Sequence, residues 1–454
     1  MKRVLLSALF VGGMMAAQAQ TEPLTFEAAA RIALEQNIAL RQQANNQLSA
    51  EATVMERFGA YTPSASINLG ADILGGLQFN NLSGEVIDDG VTNISGGLQI
   101  NYTIFNGFAR QNLYKQAIHE LAQQSSLTQR AEEAVLFNLA SQYLQVLLDE
   151  ELLRIAQRNV QEQEDNLRVI NAQVEAGIRP ISDRYDTEAQ IKNLEIEVLR
   201  RDNTLNNDRA QLAQTLQLEP GKPVRLQKPT WDLEALTNVP LDLNTLFDQA
   251  MVNRADFVAQ RSGIEATQAG LKVAYSGYYP TLSMYGYAGS RYNSAIFQSV
   301  IENGDTVAYP VSFGTQVNAF FTPQAGARLT IPLYSQMSNR AAVQRAKVTR
   351  DNAQLTLENL ERIIFTEVQQ SVQNFSTEQK ALTAARAQLV AAEKAFEIQK
   401  ERFELGNTDL LTFNQSNTNL VRSQSELVAA EYRLMFQQLL VDYFVGRLDV
   451  DSFR

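Results

Sequence analysis

His119 is the one histidine of the chain, and Glu120 follows it directly. A zinc-hydrolase site built on that pair needs a second histidine four residues later on the same helical face, and that position is Gln123. The chain has no cysteine, which removes disulfides, thiolate metal ligands, a cysteine nucleophile and a lipid anchor on an N-terminal cysteine. No Gly-x-Ser-x-Gly elbow and no Gly-rich phosphate loop occurs. Gly75-Gly76 and Gly96-Gly97 sit in strand and loop contexts, where bending or close backbone approach accounts for them. No catalytic residue, metal or cofactor is therefore expected. A net charge of -11 and a pI near 4.9 argue against nucleic acid as a partner. What remains is a pair of glycine-marked turns, Ala176-Gly177-Ile178 and Leu405-Gly406-Asn407, with polar neighbours at Ser182, Asp183, Thr408, Thr412 and Gln415.

Those turns must be held by the segments that lead into them. Leu139, Val146, Leu153, Val160, Leu167 and Val174 fall at every seventh residue, as do Val368, Phe375, Leu382, Leu389, Phe396 and Phe403. After the turns, Ile191, Val198, Leu205 and Leu212 repeat the period, and so do Leu420, Leu427, Leu434 and Val441. A sustained seven-residue period predicts helices packed side by side along their length. Long helices over 108–175 and 336–404 thus turn back into shorter ones over 181–217 and 409–445. Each long helix spans roughly 100 Å at about 1.5 Å per residue. Glycine supplies the stop, and Pro180 pre-sets the first restart.

The chain reads as a duplication. Leu24, Ala33 and Pro63 reappear 217 positions on as Leu241, Ala250 and Pro280, and the offset becomes 229 beyond an insertion near 294–310. At 229, Ile100, Tyr102 and Ile104 match Leu329, Ile331 and Leu333, and Gly177 matches Gly406. The organisation that follows has a secretory signal over 1–19, with Lys2 and Arg3 before an apolar run and Ala17-Gln18-Ala19 at its end. A first repeat spans 20–218 and a Pro-rich connector 219–240, with Trp231 as a packing anchor. A second repeat spans 241–445, and 446–454 form a tail. Each repeat opens with a helical segment, 24–60 or 241–277, ahead of its strands.

Strand-like runs lie at 62–74 and 92–105 in the first repeat (the pair 62–105) and at 280–293 and 311–333 in the second (the pair 280–333). Ile67, Leu69, Ala71 and Ile73 alternate with Ser66, Asn68 and Asp72, and Leu98, Ile100 and Tyr102 alternate with Gln99 and Asn101. Tyr285 and Tyr287 break the pattern by falling on the polar face. Such strands suit a lipid-facing barrel with a wet lumen, and equally a soluble sheet with one buried face. Four strands per chain fall short of the roughly eight in the smallest single-chain membrane barrels, so a membrane barrel must be shared between subunits. The connectors at 75–91 and 294–310, with Asp88, Asp89, Glu302 and Asp305, then face outward. A secreted coiled-coil scaffold without a pore accounts for the heptads and the leader alone, but not for the doubled strand pairs.

Helix, strand pair, long helix and return helix, twice over behind a leader, resemble the TolC-like outer membrane efflux proteins. The local marks are Leu24-Thr25-Phe26 with Ala29, Ala33 and Asn37, Tyr61-Thr62-Pro63, Phe105-Asn106-Gly107, and Arg402-Phe403 with Gly406. The resemblance implies a mainly α fold with membrane β: a homotrimer whose twelve-stranded β-barrel continues into a twelve-helix periplasmic α-barrel. It implies a place in the outer membrane, reaching into the periplasm, and a passive exit duct for a tripartite efflux pump or type I secretion system. The implied partners are outer-membrane lipid, a periplasmic adaptor (membrane fusion) protein and an inner-membrane transporter. The resemblance makes Ala176, Gly177, Ile178, Leu405, Gly406 and Asn407 the tip surface for the adaptor. It places Ser182 and Asp183 at the gate, with Phe403 and Thr408 where a tyrosine and an arginine usually stand, and Thr412 and Gln415 where some members carry entrance aspartates. Asp183 has ordinary alternatives: capping the helix after Pro180, or pairing with Arg179 or Arg184.

Overall fold

The computed structural model describes residues 23–80, 85–87, 90–219, 224–229, 233–237, 241–303 and 305–449. The leader, Trp231, Asp88 and Asp89 lie outside the described residues. In chain order the elements are α1 (Phe26–Gln36), α2 (Ile38–Gly59), β1 (Ser64–Leu74), β2 (Gln78–Asn80), β3 (Glu85–Ile87), β4 (Val91–Asn106), α3 (Ala109–Glu175) and α4 (Ile181–Thr215). Then come α5 (Leu233–Thr237), α6 (Leu243–Asn253), α7 (Ala255–Ser276), β5 (Thr281–Asn293), β6 (Phe297–Glu302), β7 (Asp305–Pro310), α8 (Phe313–Ala319), β8 (Thr322–Thr330), α9 (Ser338–Glu404) and α10 (Leu410–Val445). The two long helices, α3 and α9, are each 67 residues. The chain divides into two compact units, one of residues 44–127 and 256–360, the other holding the remainder.

The first unit holds a four-stranded antiparallel sheet in the order β1-β4-β5-β8, so that β4 and β5 join both strand pairs into one sheet. Register places Ile67, Leu98 and Ala288 in one row, and Ala65, Ile100, Gly286 and Ala325 in the next, all on the apolar face. The opposite face carries Ser66, Gln99, Tyr287 and Gln324, then Ser64, Asn101, Tyr285 and Gly326. The apolar face lies open: Ile67, Leu69 and Ile73 are each at least 71% exposed. A bulge between Thr103 and Phe105 leaves Ile104 unpaired and lets Phe105 take the apolar phase opposite Leu282. Both tyrosines of the polar face cover glycine. A Cβ at Gly97 would stand 2.6 Å from the Tyr287 ring, and one at Gly326 2.6 Å from that of Tyr285. The aromatic rings fill the space that missing side chains leave.

The expected strand over 311–333 is corrected. Ser312 caps α8, with its Oγ accepting from the Thr315 N–H, and β8 covers only 322–330. Gln316 on α8 is 1% exposed; its Oε1 accepts from the Asn293 N–H at 3.0 Å, and its Nε2 donates to the Asn293 carbonyl at 3.0 Å. The side-chain amide thus pairs with β5 beyond Gly289, where β8 has ended. The connectors also hold hairpins, β2-β3 and β6-β7.

At the base of the same sheet, Arg110 is buried. Its guanidinium donates to the carbonyls of Ala60 (3.1 Å), Thr103 (2.8 Å) and Ile104 (3.3 Å) and lies 4.5 Å from the Tyr61 ring centroid. Asn106 Oδ1 accepts from the Arg110 N–H at 3.2 Å. Gly107 has φ 65°, and a Cβ there would meet the Ser276 carbonyl oxygen at 2.7 Å. The Tyr61-Thr62-Pro63 and Phe105-Asn106-Gly107 marks therefore converge on one buried arginine.

The second unit is helical. Each expected leading helix is split in two. At Asn37, Oδ1 accepts from the Leu40 N–H at 3.1 Å and so caps the helix that follows; at Arg254, α6 ends just before α7. Thr25 caps α1, and Ala29, Ala30 and Ala33 are buried with Phe26 against Leu139, Tyr143 and Leu212. The Tyr143 hydroxyl donates to the Leu24 carbonyl (2.9 Å) and the Gln227 carbonyl (2.6 Å), and burial raises its pKa above the usual tyrosine value. Every heptad seam residue is buried or half-buried. Complete burial of a leucine or valine stabilises by about 1.5–3 kcal/mol, so the seam dominates this unit. Near the turn it is Ile170 that is fully buried, with Leu167 and Val174 only half so.

Candidate functional site

Both long helices end alike. Gly177 (φ 70°) follows α3; its N–H reaches the Val174 carbonyl at 3.0 Å, while the Ile178 N–H reaches Gln173 at 2.9 Å. Gly406 (φ 74°) follows α9; its N–H reaches Phe403 at 3.1 Å, and the Asn407 N–H reaches Arg402 at 2.8 Å. This is the Schellman closure, which satisfies the last helical carbonyls and needs a left-handed residue at the glycine. The turns leave Ile178, Leu405 and Leu411 exposed.

Beneath them lies a small core of Ile170, Phe403, Leu410 and Phe413, packed with Val174 and Phe396. Phe403 and Phe413 stack at 4.4 Å. Higher up, the two hairpins meet again at a buried amide pair, Asn417 Nδ2 donating to Asn159 Oδ1 at 2.9 Å. The first of these amides belongs to α10, the second to α3.

Arg179 closes this core. Its Nε donates to Gln173 Oε1 (2.7 Å), and Nη1 donates to Asp183 Oδ2 (3.2 Å). Nη2 crosses to the other hairpin and donates to the Phe403 carbonyl (3.2 Å) and the Thr408 carbonyl (3.3 Å). The guanidinium carbon stands 3.8 Å from the Phe403 ring centroid, and the side chain is 8% exposed. Asp183, Phe403 and Thr408, named from the sequence, are thus brought together around a residue named there only as an ordinary ion-pair alternative. No side-chain cap is made at Pro180, the N-cap of α4, so Asp183 is engaged by Arg179 and Arg184 pairs with Glu188 instead. Ser182 is exposed, its Oγ 3.4 Å from Asp183 Oδ1.

Thr412 and Gln415 lie apart from that cluster. Asp409 caps α10, accepting from the Thr412 N–H (2.7 Å) and the Thr412 hydroxyl (3.0 Å). Those two hydrogen bonds hold the Asp409 carboxyl below its usual pKa. Gln415 is exposed and donates to Asn419 Oδ1 at 3.3 Å. His119 is half-buried on α3. Among the described residues no group of three His, Cys, Asp or Glu side chains could hold a metal ion, and no helix is long and apolar enough to cross a membrane.

A sheet with an open apolar face, joined in one chain to glycine-closed helical hairpins, defines the class of outer-membrane channels with helical tips. A profile of the outer membrane efflux proteins matches residues 29–216 and 246–439, and the chain belongs to that family. It is 24% identical over 342 residues to the pyoverdine export outer membrane protein OpmQ of Pseudomonas aeruginosa, covering 75% of this chain and 67% of OpmQ. Alignments with two further relatives cover 61% and 68% of their lengths. In structure it resembles the channel CusC, with a TM-score of 0.78 at 15% identity over 93% of this chain and 92% of CusC. It also resembles the Campylobacter jejuni outer membrane channel CmeC, with a TM-score of 0.77 at 15% identity over 99% of this chain and 96% of CmeC. The protein is an outer-membrane efflux channel, and the scaffold without a pore is set aside.

Proposed function

We propose that three copies of this chain close a passive exit duct, gated at the helical tips, between a periplasmic adaptor with its inner-membrane transporter and the outside. The observation that carries this is the four-stranded sheet: one face apolar and open, the other polar, with β1 and β8 as its outer strands. Backbone groups on an open edge cannot stay unpaired in lipid, so β1 of one copy must meet β8 of the next. Three such sheets make twelve strands, enough to leave a lumen. The apolar face then meets outer-membrane lipid, and the polar face, with Gln99, Asn101 and Arg328, lines water.

The equal long helices, and closing turns related by 229 positions, support a duplication of helix, strand pair and hairpin about the 219–240 connector. In this reading Ala176, Gly177, Ile178, Leu405, Gly406 and Asn407 present the adaptor surface. Ser182, Asp183, Phe403 and Thr408 form the gate, and Thr412 and Gln415 line the entrance without fixed charge. A duct of this kind does no chemistry, and specificity rests with the transporter.

Negative-stain electron microscopy of the detergent-purified protein, with conductance in planar bilayers, tests this. Three-fold particles that conduct are expected. Particles without three-fold symmetry, released from membranes by salt or urea, would overturn it.

A further inference from the structure

We infer that Arg179 is the positioning residue of the gate: it ties the tip of the first hairpin to that of the second within one chain and so limits how far the entrance opens. This rests on the tip-gate reading above.

The tie joins two segments 229 positions apart through one side chain. Nη2 is shared between the Phe403 and Thr408 carbonyls at 3.2 and 3.3 Å. Those lengths already lie at the long end of the hydrogen-bond range, so parting the tips by one or two ångströms breaks both. Phe403 O belongs to the last turn of α9, where the carbonyl ends of a helix attract a cation. Asp183 holds Nη1, Gln173 holds Nε, and the Phe403 ring lies beneath the guanidinium plane, so the fork is oriented from its own hairpin and underneath. Only a planar fork serves four acceptors and a ring together; an ammonium is a point donor and cannot.

Two features separate the tie from ordinary helix capping. The hydrogen-bond acceptors on the second tip are carbonyls, so the Thr408 hydroxyl takes no part in the tie. The contacts to the second hairpin, two hydrogen bonds and the Phe403 ring, are also separate from the closing of α4 itself, whose first turn carries the Asp183 N–H to the Pro180 carbonyl at 3.2 Å.

Full-length wild type, Arg179→Gln, Arg179→Lys and Arg184→Gln are reconstituted in planar bilayers of outer-membrane lipid, after size-exclusion confirms equal assembly. Arg179→Gln is expected to raise the open probability of single channels by about tenfold, the ratio that loss of a charge-assisted contact gives a two-state gate. Arg179→Lys should fail to restore wild-type gating, and Arg184→Gln, which removes only an exposed ion pair within α4, should match wild type. A role in folding alone would reduce assembly yet leave assembled channels gating normally, and that result overturns the inference. If Arg179→Gln does not assemble, Arg179→Lys decides: wild-type gating in that variant refutes the tie. Wild-type protein that forms no channel at all removes the duct reading itself, and the tie with it.

Discussion

The two tips leave their long helices in the same way and start their return helices differently. At Gly177 and at Gly406 the exit is the same left-handed closure. Three residues on, the second tip has Asp409, which caps α10 with local bonds to Thr412. The matching residue of the first tip is Pro180, which makes no side-chain cap, and the nearest carboxylate, Asp183, stands one turn later and holds Arg179. The second tip is complete by itself. The first leans on the second through Arg179. The polar work of the first tip is thus concentrated in a contact between hairpins, with the second tip as its support.

The comparison can be broken most severely at the support. Phe403→Ala removes a ring that is 1% exposed, stacked on Phe413 and faced by Arg179, and should cost about 3–4 kcal/mol of stability in thermal denaturation of the detergent-solubilised protein. Next comes the asymmetry of the tie. Arg179→Gln should lose about 2–3 kcal/mol, whereas Thr408→Ala changes stability by less than about 0.5 kcal/mol, because only its carbonyl is used. Equal losses at the two positions would erase the distinction between leaning and supporting tips.

The shared exits should behave alike. A Cβ at Gly177 or Gly406 meets nothing within 4 Å, so Gly177→Ala and Gly406→Ala are each expected to cost about 1 kcal/mol through backbone strain alone. The smallest effect is the exposed cap. Asp409→Ala should lower the melting temperature modestly near neutral pH. Because the carboxyl is held below its usual pKa, its contribution is present above about pH 4 and lost as pH falls through the lowered value, so variant and wild type should converge in acid.

Much of this was legible in the sequence because it depends on spacing along the chain. The seven-residue seam marked residues that are buried or half-buried throughout, and the period-two alternation gave the correct phase of the sheet. What failed depends on neighbours across space. Tyr285 and Tyr287 looked like flaws in their strand because the glycines they cover lie on other strands or two residues away. The strand expected over 311–333 hid a short helix whose key residue, Gln316, imitates a strand through its side chain. Arg179 escaped notice as a link because its distant partners are carbonyls, which every residue has. A charged residue directly before Pro180, at a turn already marked by glycine, was the available signal.

The open edges of the sheet have a consequence for inheritance. In the proposed duct a copy with loosened tips but intact β1 and β8 still enters the assembly, because its edges are unchanged. If three copies close the duct as proposed, random mixing in a cell expressing both alleles equally leaves only about one assembly in eight free of the variant. Leakiness caused by Arg179 substitutions should therefore be dominant, whereas damage to an edge strand, which bars a copy from joining, should be recessive.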